Sequence, residues 1–105
     1  MVANEVRDIV KRYVTLLNTK GMCIEKTFLF GSCARGEEGI GSDIDLVLVS
    51  GVFDTNDDSI LAKPWRYTVE IDPRIEPVAV GLKRFMSCEE SPLLELVKRD
   101  GVLIL

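Results

Sequence analysis

The segment 31–45, GSCARGEEGIGSDID, contains residues that could bind a charged ligand. Asp43 and Asp45 open an apolar run, and alternate side chains of a strand share one face, so both carboxylates would project together. Two carboxylates this close repel and raise each other's pKa unless a positive charge lies between them. Mg²⁺ fits such a pair, because it prefers carboxylate oxygens and takes further ligands from water and phosphate.

The pair Gly31-Ser32, just after another apolar run, fits a phosphate-binding turn. Glycine lets backbone N–H groups approach a phosphate closely, and the serine hydroxyl adds a donor. Arg35 could reach a phosphate or pair with a neighbouring glutamate. Each half of the segment has a plain structural alternative: a glycine-rich loop for the first, and a turn cap followed by a solvated strand end for Asp43 and Asp45.

The composition of the chain excludes several classes of function. The 105 residues contain no histidine, which removes Ser-His-Asp and Cys-His catalysis. Three widely spaced cysteines without a CxxC pair argue against structural zinc and a disulfide framework, and indicate reduced thiols in a cytoplasmic protein. A net charge of −4 argues against direct nucleic-acid binding. The charged first residues do not form a signal peptide, and we expect no membrane segment.

The elements that must position these residues follow from periodicity and turn chemistry. Helical spacing of apolar residues, ended by Gly21, favours a first helix. Pro73 and Pro77 indicate that a late extended segment is an edge strand, contains a bulge or consists of two consecutive pieces. The predicted order is a helix over 2–20, a strand over 23–30, a glycine-rich loop over 31–42, a strand over 43–50, an extended segment over 66–80, a helix over 91–101 and a strand over 102–105. This order predicts an α+β fold with a small mixed β-sheet and helices packed mainly on one side.

Together, GSCARG at 31–36 and SDIDL at 42–46, with ten residues between Ser32 and Asp43, resemble the signature of the nucleotidyltransferase superfamily. More narrowly the chain resembles the minimal, MntA-like (MNT) nucleotidyltransferases, and the resemblance covers roughly residues 24 to 80. It implies the nucleotidyltransferase fold in one minimal domain over 1–105. It also implies that Asp43 and Asp45 hold metal ions, two Mg²⁺, that bridge the triphosphate of ATP. The positions expected to bind the nucleotide phosphates are Gly31, Ser32, Arg35 and Ser42.

The family's third catalytic carboxylate comes from a neighbouring strand, and Glu70, Asp72 and Glu76 are the candidates. Glu76 is preferred, because Glu76, Val78 and Val80 repeat the pattern of a carboxylate followed by apolar positions on one strand face. Asp72 precedes a proline and fits a turn better, but it remains the alternative.

The resemblance further implies transfer of AMP from ATP to a hydroxyl acceptor. MNT proteins act as antitoxins beside a HEPN-type RNase toxin, and some transfer AMP to it, so we expect a protein adenylyltransferase with a HEPN-type partner. A binding-only antitoxin is the second hypothesis, and transfer to a small molecule of antibiotic type is the third. The residues do not indicate the base, the acceptor or the oligomeric state.

Overall fold

A computed structural model of the chain describes residues 4–31, 43–87, 95, 99 and 101–105. Its helices are α1 (Asn4–Thr19), α2 (Asp58–Leu61), α3 (Lys63–Arg66), α4 (Thr68–Ile71) and α5 (Leu82–Met86), and a short 3-10 turn covers Gly51–Phe53. Its strands are β1 (Lys26–Phe30), β2 (Ile44–Ser50), β3 (Ile75–Gly81) and β4 (Val102–Leu103). The loop predicted over 31–42 lies almost wholly outside the described residues. So does most of the helix predicted over 91–101, of which Glu95 and Arg99 are helical.

The four strands form one mixed sheet in the order β3-β2-β1-β4. Strand β1 is antiparallel to both β2 and β4, whereas β2 and β3 are parallel. The parallel pair starts at one end of the sheet, so the first residues of β2 and β3 are neighbours. Pro77 lies in β3, an edge strand, where a residue without a backbone N–H is tolerated. Of the alternatives that the prolines left open for this segment, the structure shows an edge strand at Pro77.

Helix α1 covers one face of the sheet. Its apolar stripe is the one predicted from spacing, and it packs against the buried β2 side chains Ile44, Leu46 and Leu48. Beyond α1, Gly21 has a φ of 84°, the left-handed conformation that ends many helices. The opposite face holds Val47, Val49, Val80 and Phe85 from α5. The predicted fold, a small mixed sheet with helices mainly on one side, is confirmed.

The prediction of an extended segment over 66–80 is wrong in its first part, because Thr68–Ile71 forms α4. Thr68 and Val69 are β-branched and favour strand locally. Packing overrides that preference: Pro64 and Thr68 are buried and Ile71 contacts the core, at intervals of four and three residues that only a helical path satisfies. The extended strand begins after Pro73, at Ile75.

Candidate active site

The parallel pairing of β2 and β3 brings two predicted site carboxylates together. In the register of the pair, Asp45 lies opposite Glu76, with Ile44 opposite Ile75 before them and Leu46 opposite Pro77 after them. Asp43 is exposed and directly precedes β2. Both strands therefore carry a carboxylate near their first residue and apolar side chains further along, as the repeated sequence pattern predicts.

Gly31 lies next to this pair, directly after strand β1. It follows Phe30, the β1 residue opposite Asp45, and has a φ of 79°. A Cβ added at Gly31 would lie 2.7 Å from Oδ2 of Asp45, closer than such atoms approach each other. Gly31 was expected to act toward phosphate, and the structure adds that any side chain here would displace the carboxylate of Asp45. The absence of a side chain after an apolar strand was the only sequence signal for this contact.

The paired carboxylates disturb each other electrostatically. A hydrogen bond with the Asp45 side chain raises the pKa of Glu76, and the nearby charge of Asp43 and partial burial add to the rise. A hydrogen bond between two carboxyl groups needs a proton, which Glu76 donates when it is protonated. The pair therefore favours the binding of a proton or of another cation.

The donor set of the pair fits a divalent cation. Asp45 and Glu76 are partners in the parallel register and their side chains interact, and hard cations such as Mg²⁺ take carboxylate oxygens in place of a shared proton. Within the described part of the chain, no three aspartate, glutamate, cysteine or histidine side chains are gathered into a complete metal site. Asp43 affects Glu76 through its charge and has further interactions of its own. The fit of a divalent cation thus depends on the neighbouring carboxylates of Asp45 and Glu76, with the carboxylate of Asp43 nearby.

Asp72, the alternative third carboxylate, has a different environment. Its carboxylate accepts a hydrogen bond at 2.9 Å from Nη2 of Arg74, a salt bridge that leaves both groups partly buried. The remaining candidate, Glu70, lies on the exposed part of α4 rather than on a strand. The expected position on a neighbouring strand therefore holds for Glu76 alone. A surface groove of about 820 Å³ beside Asp72 is lined by Glu5, Asp8, Ile9, Lys11 and Arg12 of α1, and by none of the other predicted site residues that the structure describes.

The remaining predicted site positions, Ser32, Arg35 and Ser42, lie outside the described residues. Trp65, on α3, is half exposed, and Arg66 beside it is exposed. No helix in the described ranges has the length and the apolar character needed to cross a bilayer.

Several solved structures share this fold, among them the following three. One is a toxin–antitoxin complex with AMP-PNP, with a TM-score of 0.64 and 18% identity, covering 94% of this chain and 72% of that one. A Sulfolobus solfataricus protein assigned as a nucleotidyltransferase has a TM-score of 0.63 and 19% identity, covering 94% and 78%. The third is the toxin–antitoxin complex MntA–HpeT carrying two aspartate-to-glutamate substitutions two positions apart, with a TM-score of 0.61 and 17% identity, covering 90% and 71%. At these identities the likeness establishes the fold.

A search of curated proteins finds no sequence that matches this chain. The profile of the nucleotidyltransferase domain matches residues 4–94, which is most of the chain and includes Gly31, Asp43, Asp45 and Glu76. With the sheet topology and the solved neighbours, this match identifies the chain as a member of the nucleotidyltransferase domain family.

Proposed function

We propose that the chain is a Mg²⁺-dependent nucleotidyltransferase that transfers AMP from ATP to a hydroxyl group of a partner toxin. The observation that carries the proposal is the contact between Asp45 and Glu76 at the start of two parallel strands, with Gly31 against Asp45. Such a pair of carboxylates beside a glycine turn suits the binding of cations and of the phosphates that they neutralise.

The solved neighbours support the nucleotide and the biological setting. One neighbour is a toxin–antitoxin complex with AMP-PNP, an ATP analogue. In the MntA–HpeT complex the two substituted aspartates have the same spacing as Asp43 and Asp45. We therefore assign Asp43, Asp45 and Glu76 to metal binding and catalysis, and a HEPN-type toxin as the partner.

In the proposed reaction the acceptor oxygen forms a bond to the α-phosphorus of ATP. The bond from that phosphorus to the oxygen bridging the α- and β-phosphates breaks, and pyrophosphate leaves with the electron pair. Glu76 takes the proton of the attacking hydroxyl, the role of a general base, for which a carboxylate within reach of the acceptor is suited. Two Mg²⁺ ions, when bound by the three carboxylates, would neutralise charge on the attacking and leaving oxygens. Gly31, Ser32, Arg35 and Ser42 would orient the phosphates.

The proposal treats residues 1–105 as one minimal catalytic domain whose acceptor is supplied by the partner protein. It also places the protein in the cytoplasm, where its three cysteines would remain reduced. Trp65 and the exposed Val69 leave apolar surface on the short helices, and neither is assigned a role in catalysis.

The test is transfer of label from α-³²P-ATP to the co-purified partner in the presence of Mg²⁺. We expect labelling by the wild type, and a loss of about 100-fold or more in Glu76→Gln, which keeps the shape but removes the proton acceptor. Asp43→Ala should lose labelling as well. Circular dichroism should show that both variants keep the fold, since both side chains lie at the surface end of the sheet.

The same assay separates the other two hypotheses. Tight binding of the toxin without any labelling, unchanged by Glu76→Gln, would favour a binding-only antitoxin and contradict the proposal. Label on an aminoglycoside but not on protein would favour a small-molecule acceptor. Full activity in Glu76→Gln would remove Glu76 from the catalytic set.

A further inference from the structure

We propose that Asp72 is a positioning residue, which holds the turn before β3 so that Glu76 comes to lie beside Asp45. The consequence for metal binding rests on the proposed function, whereas the effect on the strand pair does not. Asp72 is not assigned contact with substrate or metal.

The Asp72 side chain organises the turn over 72–74. Its Oδ1 accepts a hydrogen bond at 2.9 Å from the backbone N–H of Arg74, which closes a turn two residues long. Nε of Arg74 donates to Oδ1 at 3.1 Å and to Oδ2 at 3.2 Å, and Nη2 donates to Oδ2 at 2.9 Å. One carboxylate therefore holds both the backbone and the side chain of Arg74.

This turn is joined directly to both strands of the site. The backbone N–H of Ile75 donates to the carbonyl of Asp72 at 3.2 Å, and that of Ile44 donates to the carbonyl of Arg74 at 2.9 Å. Ile44 and Ile75 are partners in the register and directly precede Asp45 and Glu76. The turn thus sets the first bond of the parallel pair, one residue before the two carboxylates.

A fixed register matters here because a slip of one residue turns every side chain to the other face of the sheet. Glu76 would then face the α1 side, where Ile75 is now buried, and would lose its contact with Asp45. The register depends on the bonds that start the pair, and the turn before Ile75 supplies one of them, from the N–H of Ile44 to the carbonyl of Arg74.

The Asp72 carboxylate stays charged at neutral pH. Hydrogen bonding to the Arg74 side chain holds the pKa of Asp72 below its usual value, and Arg12 on α1 adds a smaller favourable charge. Charged partners make these hydrogen bonds stronger than neutral ones, as a positioning role requires.

The test compares Asp72→Ala with the wild type in two measurements that do not depend on catalysis. Titration with Mn²⁺, followed by electron paramagnetic resonance, reports the site, and hydrogen exchange of the Ile44 amide reports the first bond of the strand pair. We expect Asp72→Ala to weaken Mn²⁺ binding about tenfold or more, and to accelerate Ile44 exchange.

Asp57→Ala is the matched control. Oδ1 of Asp57 also accepts a hydrogen bond at 2.9 Å from the backbone N–H two residues on, that of Ser59, but at the start of α2. It should lower thermal stability without changing Mn²⁺ affinity or Ile44 exchange. Asp72→Asn keeps an acceptor for the Arg74 N–H but loses the charged bonds to its side chain, so it should restore part of the affinity. If Asp72→Ala does not fold, Asp72→Ser replaces it, with the same expected direction.

Unchanged Ile44 exchange in Asp72→Ala, or an equal loss of Mn²⁺ affinity in Asp57→Ala, would overturn the inference. If the wild type bound no Mn²⁺, the proposed function would fail, and Ile44 exchange alone would decide the role of Asp72. Faster exchange in Asp72→Ala but not in Asp57→Ala would then support it, and equal rates would refute it.

Discussion

Gly31 combines two constraints that no residue with a side chain satisfies together. Its φ of 79° lies in the left-handed region, and Oδ2 of Asp45 occupies the space that a Cβ would need. Gly21 has a similar φ of 84°, but open space surrounds the position of its missing Cβ. Substitutions at the two glycines therefore distinguish the free-energy cost of backbone strain, which both share, from the effect of displacing Asp45, which occurs only at Gly31.

We expect Gly31→Ala and Gly21→Ala each to lose about 1–2 kcal/mol of stability from the left-handed backbone, measured by denaturant unfolding. Only Gly31→Ala should also disturb the site, since its Cβ would push the Asp45 carboxylate away from Glu76. A displacement of about 1 Å in a catalytic group costs about 100-fold in rate, so AMP transfer should fall on that scale. Equal transfer rates in the two variants would show that the contact with Asp45 is unimportant.

At the scale of the elements, β1 and β2 each bury a hydroxyl in the sheet. Ser50, the last residue of β2, donates to the carbonyl of Met22 at 2.6 Å and accepts from the N–H of Val52 at 3.1 Å. Thr27 in β1 is equally buried, and its Oγ1 has no hydrogen-bond partner among the described residues. The Ser50 hydroxyl therefore links the end of β2 to Met22 and to Val52. The Thr27 hydroxyl adds only the free-energy cost of burying a polar group.

The two strands should therefore respond in opposite directions when the hydroxyl is removed. Ser50→Ala should destabilise the protein by about 1–3 kcal/mol, because the buried carbonyl of Met22 loses its donor. Thr27→Val, which keeps the shape, should be neutral or stabilise by about 1 kcal/mol, because it removes an unsatisfied group. Urea unfolding of both variants measures the contrast. Destabilisation by Thr27→Val comparable to that by Ser50→Ala would mean that Thr27 has a partner beyond the described residues.

At the scale of the whole molecule, one buried phenol links the first helix to the segment between β2 and β3. Tyr13 of α1 is fully buried, and its hydroxyl donates to the carbonyl of Pro64 on α3 at 2.6 Å. Burial raises the pKa of Tyr13 well above its usual value, because the charged phenolate would lack water. The fold is thus built around the neutral form.

The buried phenol therefore makes the stability of the protein fall with rising pH in the alkaline range. Because the pKa of Tyr13 is higher in the folded state, its contribution is fully present below the unfolded pKa of about 10 and is lost as the pH rises past that value. We expect the wild type to lose up to about 1.4 kcal/mol per pH unit from this group above pH 10. Tyr13→Phe should be less stable at pH 7, and its difference from the wild type should shrink above pH 10. A constant difference between pH 8 and 11, measured by urea unfolding, would contradict this account.

Much of the framework followed from local patterns. The buried stripe of α1 could be predicted because the spacing of apolar residues along a helix is a local property of the sequence. The apolar face of β2, Ile44 to Leu48, could be predicted in the same way from the alternation of side chains along a strand. Pro77 indicated an edge strand because a missing N–H is a local property. Asp43, Asp45 and Glu76 were selected as site candidates by residue type and strand periodicity together with the family motif.

Other features depended on contacts between distant segments. Thr68–Ile71 became helical because Pro64, Thr68 and Ile71 pack against the core, which local β propensity does not reveal. The contact between Asp45 and Glu76 required the parallel register of β2 and β3, and the need for glycine at Gly31 required Asp45 to be beside it. Residue types and spacing determine which side chains can do chemistry. Only the pairing of strands that are far apart in the chain decides which of them meet, because that choice depends on packing free energy summed over the whole sheet.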